Sequence, residues 1–527
     1  MTSRDSTEPF APPGDLPRPD RAALGVLLAV AALELGLLAF RLELALPRYG
    51  WSLRPNAQIH PYAPGCWLGM LACGALGWWA WRLVAAPTRA LPARGEGVAP
   101  TGPSPLAGRA RVGAALLLLV AMHLGLQVTT DLGQGRTAWV INTVASTFSE
   151  VSNGYFATAS RIERVPRFLR DYAELQRTGP QKLKTHPPGA VLAYWLPLTI
   201  YQRLPGVEAA MVRLIRAWAG DTNDVYLAIQ QYPNVANQHL PDYLMGAALF
   251  CSLWLALAGA LAVLPAYWLG AAGGDRRAGV LAAILLALMP NSLFYWLSLD
   301  TLLVTLLAAA LAGVVYALPG DRLRAWPALG AGVGLGLTLF VSLGALAACG
   351  LSGVYALLAA ARGRARWRHA VGALVLVASG VALVTAAVTL AGVDTAAVLY
   401  QGLTAHRHGG AGVQYRPYAP WVVFNVVDYV LLAGLPLTVV ALGGLGRDCA
   451  EPVRSIGLAA LATLLLLDLS GVTRAETERL WIFLNPALAA TAAAAAVARA
   501  ERFWTLAIQP LQLLLMALAL PPLVRPC

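Results

Sequence analysis

Residues 242–269 read DYLMGAALFCSLWLALAGALAVLPAYWL, and Asp242 is the one charge in the stretch. A helix of about 20 apolar residues crosses the hydrocarbon of a bilayer, so this run is long enough to span. Working outward, similar runs occupy 22–42, 65–86, 110–128, 277–295, 300–318, 369–392, 419–443, 455–472, 480–498 and 503–523. The stretch 326–361, with arginines on both flanks, is too long for one crossing. It reads as two short helices that turn near Gly344 to Gly350. The expected fold is an all-α polytopic membrane protein of about 13 spans. Composition agrees, since 58% of the 527 residues are hydrophobic and 13% charged, against roughly a quarter charged in soluble domains.

The formal net charge of +12 would suit a nucleic-acid partner, but its placement argues otherwise. Arginine gathers in short loops between apolar runs, at Arg276-Arg277, Arg322 and Arg324, Arg362 to Arg368, and Arg499 and Arg502. Positive charge in such loops holds them on the cytoplasmic side. With those loops inside, the N-terminus is cytoplasmic and 129–241 forms one large extracytoplasmic segment. The run 187–203, short and opened by Pro187-Pro188, then lies along or dips into the outer face. Other outer connections are 43–64, 393–418 and 473–479, while 87–108 is a Pro/Gly/Arg-rich cytoplasmic linker. The chain divides into two added N-terminal helices with their linker (1–108), a core (109–320) and C-terminal spans (321–527). The first 20 residues are polar and proline-rich, and no small-residue cleavage pattern follows the first apolar run, which reads as an uncleaved helix. Six cysteines, at 66, 73, 251, 349, 449 and 527, form no CxxC pair and suggest neither zinc nor a disulfide framework.

Charges at the edge of a span are costly, which makes their positions informative. On this topology Asp131, Glu150, His186, Asp300, Asp428 and Asp468 all fall at or near the outer surface. So do His406, Arg407, His408 and Arg416 in one loop, and Arg474, Glu476, Glu478 and Arg479 in another. Glu150, in Ser149-Glu150-Val151-Ser152-Asn153-Gly154, could take a proton from a hydroxyl as general base. Its alternative is a capping box with Thr147. Asp131 offers the same chemistry nearer a span end, with an N-cap as its alternative. His186, in Thr185-His186-Pro187-Pro188-Gly189, points from a rigid turn where it could donate to phosphate or exchange a proton. Helix initiation explains the prolines but not the histidine. Asp300 follows Pro290-Asn291-Ser292 and could orient a cation, a phosphate-binding arginine or a hydroxyl; an N-cap is again the simpler option. Arg479, Arg416, His406 and His408 could compensate a phosphate. For Arg479, an ion pair that orients its own helix competes. The carboxylates leave a divalent cation open as a cofactor, although no tight ligand spacing is present.

The order of these motifs resembles the GT-C superfamily of membrane glycosyltransferases. An acid in a large first outer loop precedes a His-Pro-Pro turn at a juxtamembrane helix, and a later acid follows a Pro-ended span. The pattern is most similar to bacterial protein-mannosyltransferase-type proteins (glycosyltransferase family 39 and its aminoarabinose-transferring relatives), with motifs over about 129–320. The resemblance implies a GT-C-like bundle, a polyprenyl-phosphate sugar donor, a lipid, glycan or protein acceptor, and inverting displacement with an outer-loop carboxylate as base. It places Glu150 or Asp131 as the first-loop acid, His186-Pro187-Pro188 as the turn and Asp300 as the later acid. The adjacent Asp-Glu pair of the mannosyltransferases is missing from the first loop. The Ala/Leu/Arg-rich composition points to a bacterial inner membrane. A transporter or flippase of a lipid-linked or small polar substrate is the alternative, with the Gly-rich stretch 326–350 in its favour and no duplicated half against it. A membrane scaffold with a degenerate site is a third option.

Overall fold

A computed structural model describes residues 21–38, 44–46, 51–53, 63–85, 105–133, 135–149, 153–230, 241–409, 416–446 and 449–519. They are helical apart from loops and one antiparallel hairpin, in which Leu44–Leu46 pairs with Trp51–Leu53 and Leu46 lies opposite Trp51. Among the described residues, six helical stretches are long and apolar enough to cross a membrane: Gly65–Ala85, Gly108–Leu132, Asp242–Gly273, Asp300–Ala317, Trp367–Leu390 and Glu451–Ser470. A seventh results if the pair Tyr418–Ala433 and Leu435–Gly444, bent by 103°, counts as one span. The described cysteines form no disulfide.

The remaining apolar runs fold as shorter or interrupted helices, and prolines and glycines explain several of the breaks. The run 277–295 becomes Arg276–Ala287 and a short turn of helix, Pro290–Phe294. Pro290 offers no N–H and pushes Met289 into the extended region (φ −78°, ψ 122°). The run 419–443 breaks at Gly434, whose φ of 111° is open to glycine and few other residues. Such breaks bare backbone groups that an apolar surrounding cannot satisfy. Two glutamines on the helix Gln509–Ala519 repair them. Gln509 Nε2 donates to the carbonyls of Leu288 (3.1 Å) and Ala433 (3.3 Å), and Gln512 Nε2 donates to that of Leu431 (3.0 Å). Gln512 Oε1 in turn accepts from the Leu435 N–H (3.0 Å).

The stretch 326–361 forms two helices, Ala325–Val341 and Ala345–Ala361, with the turn at 342–344. The first of these helices packs closely on Trp367–Leu390 through glycines on both. A Cβ added at Gly332 would collide with the Val377 backbone, and one at Gly380 would lie 2.6 Å from the Leu329 carbonyl oxygen. Small residues let helices approach backbone to backbone in lipid, where hydrophobic attraction between them is absent.

The helix Gly189–Gln202 is 14 residues long, too short to cross at 1.5 Å per residue. One side of it sinks into the bundle while Leu196 on the other is exposed. Seven of its residues are buried, and it packs on Tyr155–Ala159, Asp242–Ala260 and Ala325–Val341. The helix Asp300–Ala317 fixes the polarity of the bundle. Its N-terminal end carries Asp300. Near its other end Asp321 meets Arg366 (3.2 Å), and a further pair, Glu451 with Arg362 (2.5 Å), lies at the start of the helix that runs to Ser470. The short arginine loops and the acids of apolar sequence therefore sit at opposite ends.

Replacing Gly332 with valine is expected to separate the helices Ala325–Val341 and Trp367–Leu390 and cost about 1–3 kcal/mol. A lower unfolding temperature of the purified protein in detergent checks this; an unchanged one would show that the glycines are not packing contacts.

Candidate functional site

The stretch 290–300 is the seam along which the polar groups meet. Pro290 opens its short helix, the chain turns, and Asp300 begins the next helix with its carboxylate in the first turn. Side chains from this seam reach two distant parts of the sequence. The Trp296 indole N–H donates to Asp131 Oδ2 (2.7 Å). Asn291 Nδ2 donates to the Glu478 carbonyl (3.1 Å), the Tyr295 hydroxyl donates to Glu478 Oε1 (2.8 Å), and Asp300 Oδ2 lies 3.6 Å from Arg479 Nε. Behind them, Asn485 Nδ2 donates to Asn291 Oδ1 (2.8 Å) and Ser292 Oγ (2.9 Å), while Tyr429 donates to Asn485 Oδ1 (3.1 Å).

Arg479 is the cation at the centre, its side chain only 22% exposed. Burial works against its charge, but Asp300 and Glu476 outweigh burial and raise its pKa, so it remains a guanidinium. Glu476 Oε2 holds it at 2.6 Å. Burial raises the Glu478 carboxyl above the usual carboxylate range, against the hydrogen bond from Tyr295.

The loop that delivers Arg479 is strained. Ala475 (φ 83°) and Glu476 (φ 57°) are left-handed, and they are the two non-glycine residues with positive φ among the described residues. Each such residue costs about 1–2 kcal/mol. Asn425 compensates by gripping the loop from a separate helix. Its Nδ2 donates to the Thr473 carbonyl (2.9 Å) and to Asp468 Oδ1 (3.0 Å), its Oδ1 accepts from the Ala475 N–H (3.1 Å), and its carbonyl accepts from Thr477 Oγ1 (2.7 Å). Arg416 and Arg474 add a reciprocal latch, each guanidinium donating to the carbonyl of the other at 2.8 Å.

His186 is half-buried by side-chain exposure, and its ring faces inward. Nδ1 lies 3.0 Å from the Lys182 carbonyl and 2.9 Å from Thr185 Oγ1, and the Tyr155 ring sits edge-on at 5.3 Å. Its own carbonyl accepts from the Tyr172 hydroxyl (2.8 Å). Asp300 and Arg479 are both close enough to act on its charge. Burial dominates and lowers its pKa to about 4. A carbonyl at Nδ1 calls for a proton there, which makes Nε2 an acceptor. His186 is thus a neutral imidazole at neutral pH, with one ring nitrogen as donor and the other as acceptor.

Of the other candidates, Asp131 meets the seam through Trp296, four residues before Asp300. Arg416 belongs to the latch and stacks over Trp421 (5.3 Å). His406 is exposed on the helix Thr395–Gly409. Glu150 and the side chain of His408 lie outside the described residues. Of the capping box read for Thr147 and Glu150, only Thr147 is among the described residues, and it is no N-cap. Thr147 is in the last turn of Arg136–Phe148, where it donates to the Thr143 carbonyl (3.0 Å) and bonds Ser252 (2.7 Å). Asp300 is likewise no N-cap, a position held by Leu299. Asn425, Asn485 and Tyr295 escaped the sequence reading, and Asn291 was read only as part of the motif before Asp300. Their signal was a polar residue inside or beside an apolar run. No group of three or more metal-ligating side chains occurs among the described residues.

Comparisons with family models, curated proteins and solved structures return no match.

The buried His186 makes stability depend on pH. Its folded pKa, about 4, lies below the ordinary 6.5. Between these values the unfolded chain binds the proton first, so stability falls as pH drops from about 6.5 towards 4. Glutamine at position 186 should flatten this part of the melting-temperature profile. A profile identical to wild type would show that His186 is not held neutral.

Proposed function

We propose that the protein is a GT-C-type membrane glycosyltransferase that moves a sugar from a polyprenyl-phosphate donor to a lipid, glycan or protein acceptor at the extracytoplasmic face of a bacterial inner membrane. In this reading the shorter and broken helices complete a bundle of about 13 crossings around the seam. One observation carries the proposal: a buried guanidinium, Arg479, meets the carboxylate of Asp300 beside His186, at the end of the bundle opposite the arginine loops. The acceptor hydroxyl loses its proton to a carboxylate, its oxygen attacks the anomeric carbon, and the bond to phosphate breaks with the electron pair on the leaving phosphate. Charge grows on that phosphate, where a fixed guanidinium stabilises it most.

Asp131 suits the base, because its described partner is a neutral indole and not a cation. Glu150 is the other carboxylate to test. Asp300 fits the task of orienting Arg479. An apolar cavity of about 180 Å³, lined by Tyr429, Leu461, Leu464, Leu484 and Leu488 among others, adjoins the Tyr429–Asn485 contact and suits a prenyl chain. A flippase or transporter is favoured by a different feature. His123 and Gln127 are buried within a span, 3.4 Å apart, each with an unpartnered polar atom, and two helices elsewhere are bent at Gly434.

The test uses protein in lipid nanodiscs with radiolabelled polyprenyl-phosphate sugars. Alanine at Asp131, Glu150 or Asp300 should lower transfer about 10²–10⁴-fold for the residue that acts as base, with the folded protein retained. Full activity in all three variants would sink the site. Absence of turnover with every donor, together with movement of a lipid-linked substrate across proteoliposomes, would establish the transporter.

A further inference from the structure

Glu476 is the group at Arg479 to which the transfer reaction gives no task. Its carboxylate holds the guanidinium at 2.6 Å, closer than Asp300 at 3.6 Å, yet its side chain is 54% exposed against 23% for Asp300. The pair therefore has a fixed inner carboxylate and an outer one that reaches water. The outer one sits on the strained loop. Asn425 and the Arg416–Arg474 latch grip the backbone at Thr473, Arg474 and Ala475 and the hydroxyl of Thr477, on either side of Glu476. A solvent-side ion pair is weak, because water and salt replace it readily. A phosphate can offer the same guanidinium two oxygens at once and more charge.

We propose that Glu476 is an internal stand-in for the anionic group of the ligand, displaced from Arg479 when a phosphate arrives. This rests on the reading of Arg479 as a phosphate contact. As Glu476 turns out to water, residues 475–476 leave the left-handed region and the loop relaxes. Because the newcomer must out-compete a carboxylate already in place, Glu476 sets the charge a ligand needs. Neutral lipids leave the loop closed, whereas a phosphate opens it. After transfer, return of Glu476 to Arg479 helps expel the product phosphate. The competing role, a positioning residue that aims Arg479, carries the opposite sign: its removal would weaken binding.

Binding of a polyprenyl phosphate, and separately of inorganic pyrophosphate, is measured for wild type, Glu476→Gln and Ala475→Gly in nanodiscs. Glutamine at 476 should tighten binding of the lipid phosphate about tenfold. Glycine at 475 lowers the strain of the closed loop and should weaken binding about threefold, an independent readout if the Glu476 variant folds poorly. Wild-type binding that Glu476→Gln leaves unchanged or weakens would overturn the displacement alone. No binding of either probe to any of the proteins would overturn it together with the donor reading.

Discussion

A guanidinium at the rim of an apolar bundle cannot stand bare. Leaving it there uncompensated would cost several kcal/mol, and the surroundings of Arg479 follow from that constraint. Asp300 is brought to it by the seam at 290–300, Glu476 by a loop in the left-handed region, and Glu478 is drawn inward beside it, with Tyr295 on one carboxylate oxygen and Asn291 on its carbonyl. The hydrogen bonds then spread backward through Asn485 to Tyr429. The polar network is thus one connected structure with a charge at its head.

The two halves of the seam answer different needs. Trp296, fully buried, stacks on Trp139 at 6.0 Å while its N–H holds Asp131, so the first acid is fixed by packing as much as by hydrogen bonding. Arg479 is held by charge, from Asp300 on one side and from Glu476, on a strained loop, on the other. Rigid packing suits a group whose position must not change, and a strained loop suits one whose partner can.

Much of this was legible in the sequence. The apolar runs located the helices, the rarity of charge within them singled out Asp300, Asp428 and Asp468, and charge at their outer ends drew attention to Asp131 and Arg479. Arginine placement separated the two ends, since Arg362 and Arg366 do sit opposite Asp300. What the runs hid was continuity. A stretch such as 419–443 has the same composition whether it is straight or bent at Gly434, because the bend depends on backbone angles and on glutamines far along the chain. Asn425 was hidden for a similar reason. Its side chain and carbonyl act on residues near 475, and sequence distance conceals such a contact. The charge state of His186 also depended on burial, which the His-Pro-Pro turn does not specify.

The glutamine repairs have a consequence for biogenesis. Chains are synthesised from the N-terminus, so the carbonyls of Leu288, Leu431 and Ala433 enter the bilayer well before Gln509 and Gln512 exist. Until the helix Gln509–Ala519 arrives, those carbonyls must find water, the translocation machinery or each other. The bundle therefore cannot close around its two breaks while it is being made, and its final tertiary hydrogen bonds form only when that late helix docks. Quality control acting on bare backbone in the membrane would have its window in that interval.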